Sequence, residues 1–148
     1  MSRAVILDSS VLGIVSNPGN KPTVVAGRQW MTDLTRTGAT IFIPEIADYE
    51  LRRELLRASK SRGLAYLDEL IEEHEYLPLH TDAMRQAAQF WAQARQQGQP
   101  TAADNTIDCD MILIAQAVTL GQPNFIVATT NVRHLARFVP ADVWENIT

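Results

Sequence analysis

Short unbroken apolar runs alternate along the chain with longer stretches whose apolar positions recur every three or four residues. Ala4-Val5-Ile6-Leu7 is the first run, and such continuous hydrophobicity marks a parallel strand buried on both faces. Ser16-Asn17-Pro18-Gly19-Asn20-Lys21-Pro22 reads as a loop from its turn residues. A helix is predicted over residues 23–35, with Val24, Val25, Trp30, Met31 and Leu34 facing inward. Gly38 breaks the chain, and Ala39-Thr40-Ile41-Phe42-Ile43 is the second strand. Pro44 suits the first turn of a further helix, whose positive end Glu45 complements.

Helices are predicted over residues 46–58 and 64–74, then a short strand at 76–79 whose Pro78 favours a sheet edge. Thr81 or Asp82 caps a long helix running to Ala94. Residues 96–105, polar and carrying Gly98 and Pro100, read as a loop. Residues 109–119 return to helix, 125–128 to strand and 131–138 to a last helix. Strands separated by helical crossovers run parallel. No repeat, low-complexity tract or linker interrupts the pattern. The expectation is an α/β fold, a single-domain α/β/α sandwich over residues 1–148 with a mainly parallel central sheet.

A chain of 148 residues is long enough to bury a real core. The net charge of -4 gives no basic coat, although a local arginine cluster can still meet nucleic acid. One cysteine, Cys109, excludes an internal disulfide framework and a multi-cysteine zinc site. No apolar run approaches the roughly 18 residues of a membrane span, and four apolar residues behind Met1-Ser2-Arg3 are too few for a signal peptide. These features point to a soluble, cytoplasmic protein with no membrane partner.

Asp8 stands directly behind the first strand and ahead of Ser9-Ser10-Val11-Leu12. Ligands of open α/β sheets bind at the carboxyl ends of the strands, and a carboxylate there suits a divalent cation. One acid proves little unless others return to the same edge; the candidates are Glu50, Asp108 and Asp110. On the helix after Pro44, Ala47, Leu51, Leu55 and Ala58 form an apolar stripe, with Glu50 about 100° from its centre. Arg53 and Arg57 follow on the same flank. That flank reads either as a metal-binding carboxylate with two phosphate-binding guanidinium groups, or as a solvated pair worth a few tenths of a kcal/mol.

Asp108 and Asp110 bracket Cys109 ahead of the nearly all-apolar Met111-Ile112-Leu113-Ile114-Ala115-Gln116-Ala117. Asp108, outside that run, suits a helix N-cap. Asp110, inside the first turn of a buried helix, needs a partner, and a cation is one. Asp104 reads as a surface residue. Thr129-Thr130-Asn131 closes the last strand either as a turn with a helix cap or as the polar wall of a site. His134, between Arg133 and Arg137, reads as a solvated side chain. Trp30 and Trp91 read as core residues.

The blocks Asp8-Ser9-Ser10-Val11-Leu12, Glu50-Leu51, Asp110 through Ala117 and Thr129-Thr130-Asn131 resemble the four signature blocks of PIN domains. They stand in the family's order and cover nearly the whole chain; within the family the chain most resembles the small VapC-type toxins. Each block is weak alone, and the four in order carry the resemblance. It implies a metal-dependent endoribonuclease, the toxin of a toxin–antitoxin pair, forming homodimers and held by a small antitoxin protein. Asp8 would match the first acid, Glu50 the second and Asp110 the third, with Asp108 an accessory acid and Glu45 and Glu54 competing for the helix position.

Crowded carboxylates repel when ionised, and Mg²⁺ or Mn²⁺ relieves that repulsion while keeping positions open for water and a phosphate oxygen. Ser10, Arg53, Arg57, Thr129 and Asn131 would contact substrate, with single-stranded RNA entering more easily than a duplex. The chain departs from the family at Asn131, where Asp is frequent; one charge fewer weakens a second metal. Haloacid-dehalogenase phosphatases also begin with strand-Asp, but need a second Asp where Ser10 stands. A response-regulator receiver needs an acidic pair and a later lysine, while the only lysines are Lys21 and Lys60. The remaining alternative is a catalytically weak or inactive PIN-like module that binds RNA or a protein partner. Asn131 supports that alternative, and the retained acids oppose it.

Overall fold

The computed structural model describes residues 3–97 and 104–148, with side chains described for 3–97 and 108–148. Five parallel strands form one sheet in the order β3-β2-β1-β4-β5, where β1 is Ala4–Leu7, β2 Thr40–Pro44, β3 Glu75–Leu77, β4 Phe125–Thr129 and β5 Ala141–Val143. Among the described residues six helices flank it: α1 Ser9–Val15, α2 Pro22–Arg36, α3 Glu45–Arg57, α4 Ser61–Glu73, α5 Thr81–Gln96 and α6 Asp104–Thr119. This is a PIN-like α/β/α sandwich, as the alternation of apolar runs predicts.

The strand period of two divides the core. Val5 and Leu7 of β1, with Ile41 and Ile43 of β2, pack under α1, α2 and α4 against Trp30, Met31, Leu34 and Leu67. Ile6 and Val127 point the other way, onto Ala83, Ala87, Met111 and Ile114 of α5 and α6. Trp30 is buried as expected; it meets Trp144 edge-on at 5.5 Å, and its indole N–H donates to the Ile147 carbonyl at 2.8 Å. Gly27 lets α2 approach α1 closely, since a Cβ there would meet Ile14 Cγ2 at 2.7 Å.

Several expectations are corrected. Residues 131–138 form consecutive hydrogen-bonded turns, not a helix, with Ala136 N–H on the Val132 carbonyl and Val139 N–H on the Leu135 carbonyl. The chain then adds β5 and a 3-10 helix, Trp144–Asn146, neither of which the pattern announced. Helix α1 was likewise not foreseen. Pro44 ends β2 and caps α3 instead of entering its first turn, and His80, not Thr81 or Asp82, stands at the N-cap of α5. Helix α6 already begins at Asp104, so Asp108 is inside it and not its cap. Of the loop expected over 96–105, residues 98–103 lie outside the described residues. Val25 faces solvent, and Trp91 is 38% exposed rather than core.

Gln116 locks the helices that matter for the site. Its side chain is buried on α6; the amide oxygen accepts from Ile46 N–H at 3.2 Å, and the amide nitrogen donates to the carbonyls of Leu77 at 2.8 Å and Pro78 at 3.3 Å. One side chain thereby joins α6 to the start of α3 and the end of β3. No described helix is long and apolar enough to cross a membrane.

Candidate functional site

Strand order reverses at β1: the chain passes outward to β2 and β3, then returns to place β4 and β5 on the other side. The crevice at such a reversal, beyond the strand carboxyl ends, is where ligands bind in open α/β sheets. Leu7 pairs with Ala128, so the next residues of the two strands, Asp8 and Thr129, face each other at this crevice.

Asp8 is also the N-cap of α1, which is why the chain turns sharply there. Its Oδ1 accepts from Ser10 Oγ at 2.6 Å and from Val11 N–H at 3.0 Å, and its Oδ2 accepts from the Thr129 hydroxyl. Its own N–H donates to the Ala128 carbonyl at 3.1 Å. Burial raises its pKa, and the hydrogen bonds from Ser10, Thr129 and Val11 oppose that rise.

Glu50 reaches the crevice from α3. Burial raises its pKa first; hydrogen bonds from the Ser9 hydroxyl and the Cys109 thiol and the charge of Arg53 work against it, while Asp8 adds to it. Asp110 enters from α6, its carboxyl pushed up to about 7 by burial and then by the charges of Glu50 and Asp8. The three acids thus sense one another from β1, α3 and α6. Cys109, buried between them, has its thiol pushed up to about 11 by burial and then by Glu50, so it is a hydrogen-bond donor and not a thiolate.

The other predicted site residues are placed as follows. Thr129 is 1% exposed and touches Asp8, while Thr130 N–H donates to Ser10 Oγ at 3.3 Å. Asn131 is exposed; its N–H donates to Thr129 Oγ1 at 3.1 Å, and its Oδ1 accepts from Arg133 N–H at 3.3 Å in a local turn. Arg53 lies over the Tyr49 ring, 5.1 Å from its centroid, within electrostatic reach of Glu50 and Cys109. Arg57 instead pairs with Glu54 at 2.9 Å in solvent.

Asp108 is exposed and lines a hollow of about 370 Å³ between α5 and α6, together with Trp91 and Met111. Two residues along a helix turn through about 200°, so Asp108 faces away from Asp110. The rival helix acids are occupied elsewhere: Glu45 accepts from Leu79 N–H at 2.7 Å, and Glu54 holds Arg57. His134 is half-buried, contrary to expectation, and its Nδ1 has no hydrogen-bond partner among the described residues. Sequence reasoning missed Ser9 and Cys109 as donors to Glu50. The signal for Ser9 was the helix that begins there.

Three partly buried carboxylates are hard oxygen donors; burial raises all three pKa values first, and the charges of the neighbouring acids add to the rise at Glu50 and Asp110, a strain that a cation would relieve. Among the described residues no three metal-ligating side chains close into a cage. Mg²⁺ keeps several of its waters and needs only one or two carboxylates, so the donor set fits a divalent cation of that kind.

A chain of the DNA-bound VapBC from Salmonella typhimurium superposes with a TM-score of 0.71 at 22% identity, covering 97% of this chain and 99% of that one. A chain of VapBC2 from Rickettsia felis, bound to a fragment of promoter DNA, gives 0.69 at 16% identity, with 95% and 98% covered. A chain of FitAcB from Neisseria gonorrhoeae gives 0.68 at 18%, with 97% and 99% covered. These likenesses concern the fold. No curated protein sequence matches the chain. The sequence itself matches the PIN domain model over residues 5–138, and the chain belongs to the PIN domain family.

Proposed function

We propose that this PIN domain is a divalent-metal-dependent endoribonuclease acting as the toxin of a toxin–antitoxin pair. The observation that carries the reading is the meeting of Asp8, Glu50 and Asp110 from three separate elements at the reversal point of the sheet. Such clustered, perturbed carboxylates in a crevice mark functional sites more often than structural ones. The likeness of the fold to the VapBC structures supports the assignment to a toxin with an antitoxin protein. Homodimer formation and a cytoplasmic location belong to the same proposal.

Asp8, Glu50 and Asp110 would hold Mg²⁺ or Mn²⁺. When bound, the cation supplies Lewis acidity toward a phosphate oxygen. Thr129 and Ser10 fix both oxygens of Asp8 so that its carboxylate does not turn away. Ser9 from α1 and Cys109 from α6 favour the ionised form of Glu50. Arg53, at the crevice margin, would receive a flanking phosphate. Asp110, close to half-protonated near pH 7 without metal, has to release its proton for a cation to bind. Asp108 faces the neighbouring hollow, so the three other acids suffice for this scheme.

Incubating the purified chain with a mixed RNA pool and Mg²⁺, Mn²⁺ or EDTA, beside Asp8→Asn, tests the proposal. Cleavage that needs metal and that the folded variant lacks is the expected result. Equal cleavage by the variant refutes the assignment. RNA binding without any cleavage favours the inactive-module reading.

A further inference from the structure

We infer that two exposed aromatic–arginine pairs, Tyr49–Arg53 on α3 and Trp91–Arg95 on α5, are stacking platforms that hold the bases of single-stranded RNA, one on the α3 side of the acid cluster and one across α6. The inference rests on the nuclease reading and names how substrate is held there.

Two large aromatic side chains stand in solvent on helices that border the site: Tyr49 is 54% exposed and Trp91 38%. Each precedes by four residues an arginine of its own helix whose guanidinium lies over the ring, at 5.1 Å for Arg53 and 4.8 Å for Arg95. Tyr49 adjoins Glu50 in the chain, and Arg53 reaches the charge of Glu50. On the other flank, Trp91 shares its hollow of about 370 Å³ with Met84, Met111, Ile112 and Asp108, and Asp108 stands two residues before Asp110. The Tyr49 pair therefore lies on the α3 side of the acids, and the Trp91 pair lies across α6, on the face of that helix opposite Asp110.

Single-stranded nucleic acids are gripped by aromatic faces that stack on any base, aided by nearby cations. In a chain of net charge -4, a polyanion needs cations placed locally, and Arg53 supplies one at the Tyr49 ring. Asp108 orients the strand further: its carboxylate repels a phosphate and accepts from a base N–H, so the base, not the backbone, enters the hollow.

The test uses the full chain carrying Asp8→Asn and a mixed-sequence RNA oligonucleotide of about ten nucleotides. Trp30 and Trp144 are buried against each other, so Trp91 is the fluorescent reporter. Saturable quenching by the oligonucleotide is expected, and Trp91→Phe should lose the signal yet keep the affinity. Trp91→Leu and Tyr49→Leu, each checked by thermal melting, should each weaken binding about 10-fold. In the cleaving chain the same two changes should raise KM by about that factor with kcat and Mn²⁺ affinity little altered. Unchanged binding and KM in both Leu variants overturns the platforms, even if Asp8→Asn still abolishes cleavage. Loss of self-association by Trp91→Leu with RNA affinity intact also overturns the platform on α5, assigning that face to a second copy. Absence of cleavage by the native chain would sink the nuclease reading alone, because the quenching and its loss are read without turnover.

Discussion

Thr129 donates its hydroxyl to Asp8 across the point where the sheet reverses, joining the last residue of β4 to the residue that links β1 to α1 as its N-cap. The contact spans 121 residues of chain. It makes the carboxylate a shared part of two strands and a helix, and it takes up one of the two oxygens that face the crevice. Ser10 Oγ and Val11 N–H hold the other.

Thr129→Val keeps the shape of the side chain and removes that donor. Since Thr129 is 1% exposed, water does not readily replace it, and Asn131 N–H loses its acceptor as well. A loss of about 1–3 kcal/mol in urea denaturation is expected, with weaker metal binding because Asp8 is freed to turn. Unchanged stability would show that the hydroxyl bond contributes nothing net.

The metal-free chain should lose stability as pH rises. An unfolded Asp titrates at about 3.9, whereas burial and then Glu50 and Asp8 push the Asp110 carboxyl up to about 7 in the fold. Between those values the folded chain retains a proton that the unfolded chain has released. The contribution is therefore present below the window and lost as pH rises through it. Asp8 and Glu50 are raised too and act with the same sign. Scanning fluorimetry in EDTA should show Tm falling between pH 5 and pH 8 by about 3 °C, on the order of 1 kcal/mol after allowing for solvent screening. Mg²⁺ should restore more at pH 8 than at pH 5. A flat or rising Tm in EDTA contradicts the coupling.

Gln116→Leu tests whether the position of α3 depends on the buried amide. The substitution strands Ile46 N–H and two carbonyls. A cost of about 2–4 kcal/mol is expected, with metal affinity reduced because Glu50 and Asp110 lie on the two helices it joins. An equilibrium midpoint like that of the native chain would remove Gln116 from the account.

Arg53 and Arg57 share a helix flank in the sequence, but only Arg53 reaches the acids; Arg57 is engaged with Glu54 in solvent. Arg53→Ala should raise KM for RNA several-fold, of the order expected for one lost phosphate contact. Arg57→Ala should leave it nearly unchanged and alter stability by no more than about 0.5 kcal/mol. Steady-state cleavage at two salt concentrations separates the two; equal effects would contradict the placement.

Strand β1 and Asp8 were legible because four apolar residues end abruptly in a carboxylate, and β4 with Thr129 because the apolar run 125–128 ends in two hydroxyls. Helix α1 was not, because its cap is Asp8 itself and its buried residues, Val11, Leu12 and Val15, are too few to show a period. The turns of residues 131–138 imitate a helix through Val132, Leu135 and Val139, yet they serve to swing the chain into β5. Strand β5 is three half-buried residues without alternation. Asp108 and Asp110 looked like a pair because they flank one residue; once α6 is known to start at Asp104, helical geometry sends them to opposite sides. The polar first turn of that helix concealed its start.

The central claim is that Asp8, Glu50 and Asp110 act as one cation site. Titration of the purified chain with Mn²⁺, followed by the electron paramagnetic resonance signal of the free ion, measures this without any assumption about the RNA target. The native chain should take up Mn²⁺, and Asp8→Asn, Glu50→Gln and Asp110→Asn should each bind it about 10-fold or more weakly while remaining folded. Free Mn²⁺ unaffected by the native chain, or three variants that bind as the native chain does, would contradict the account.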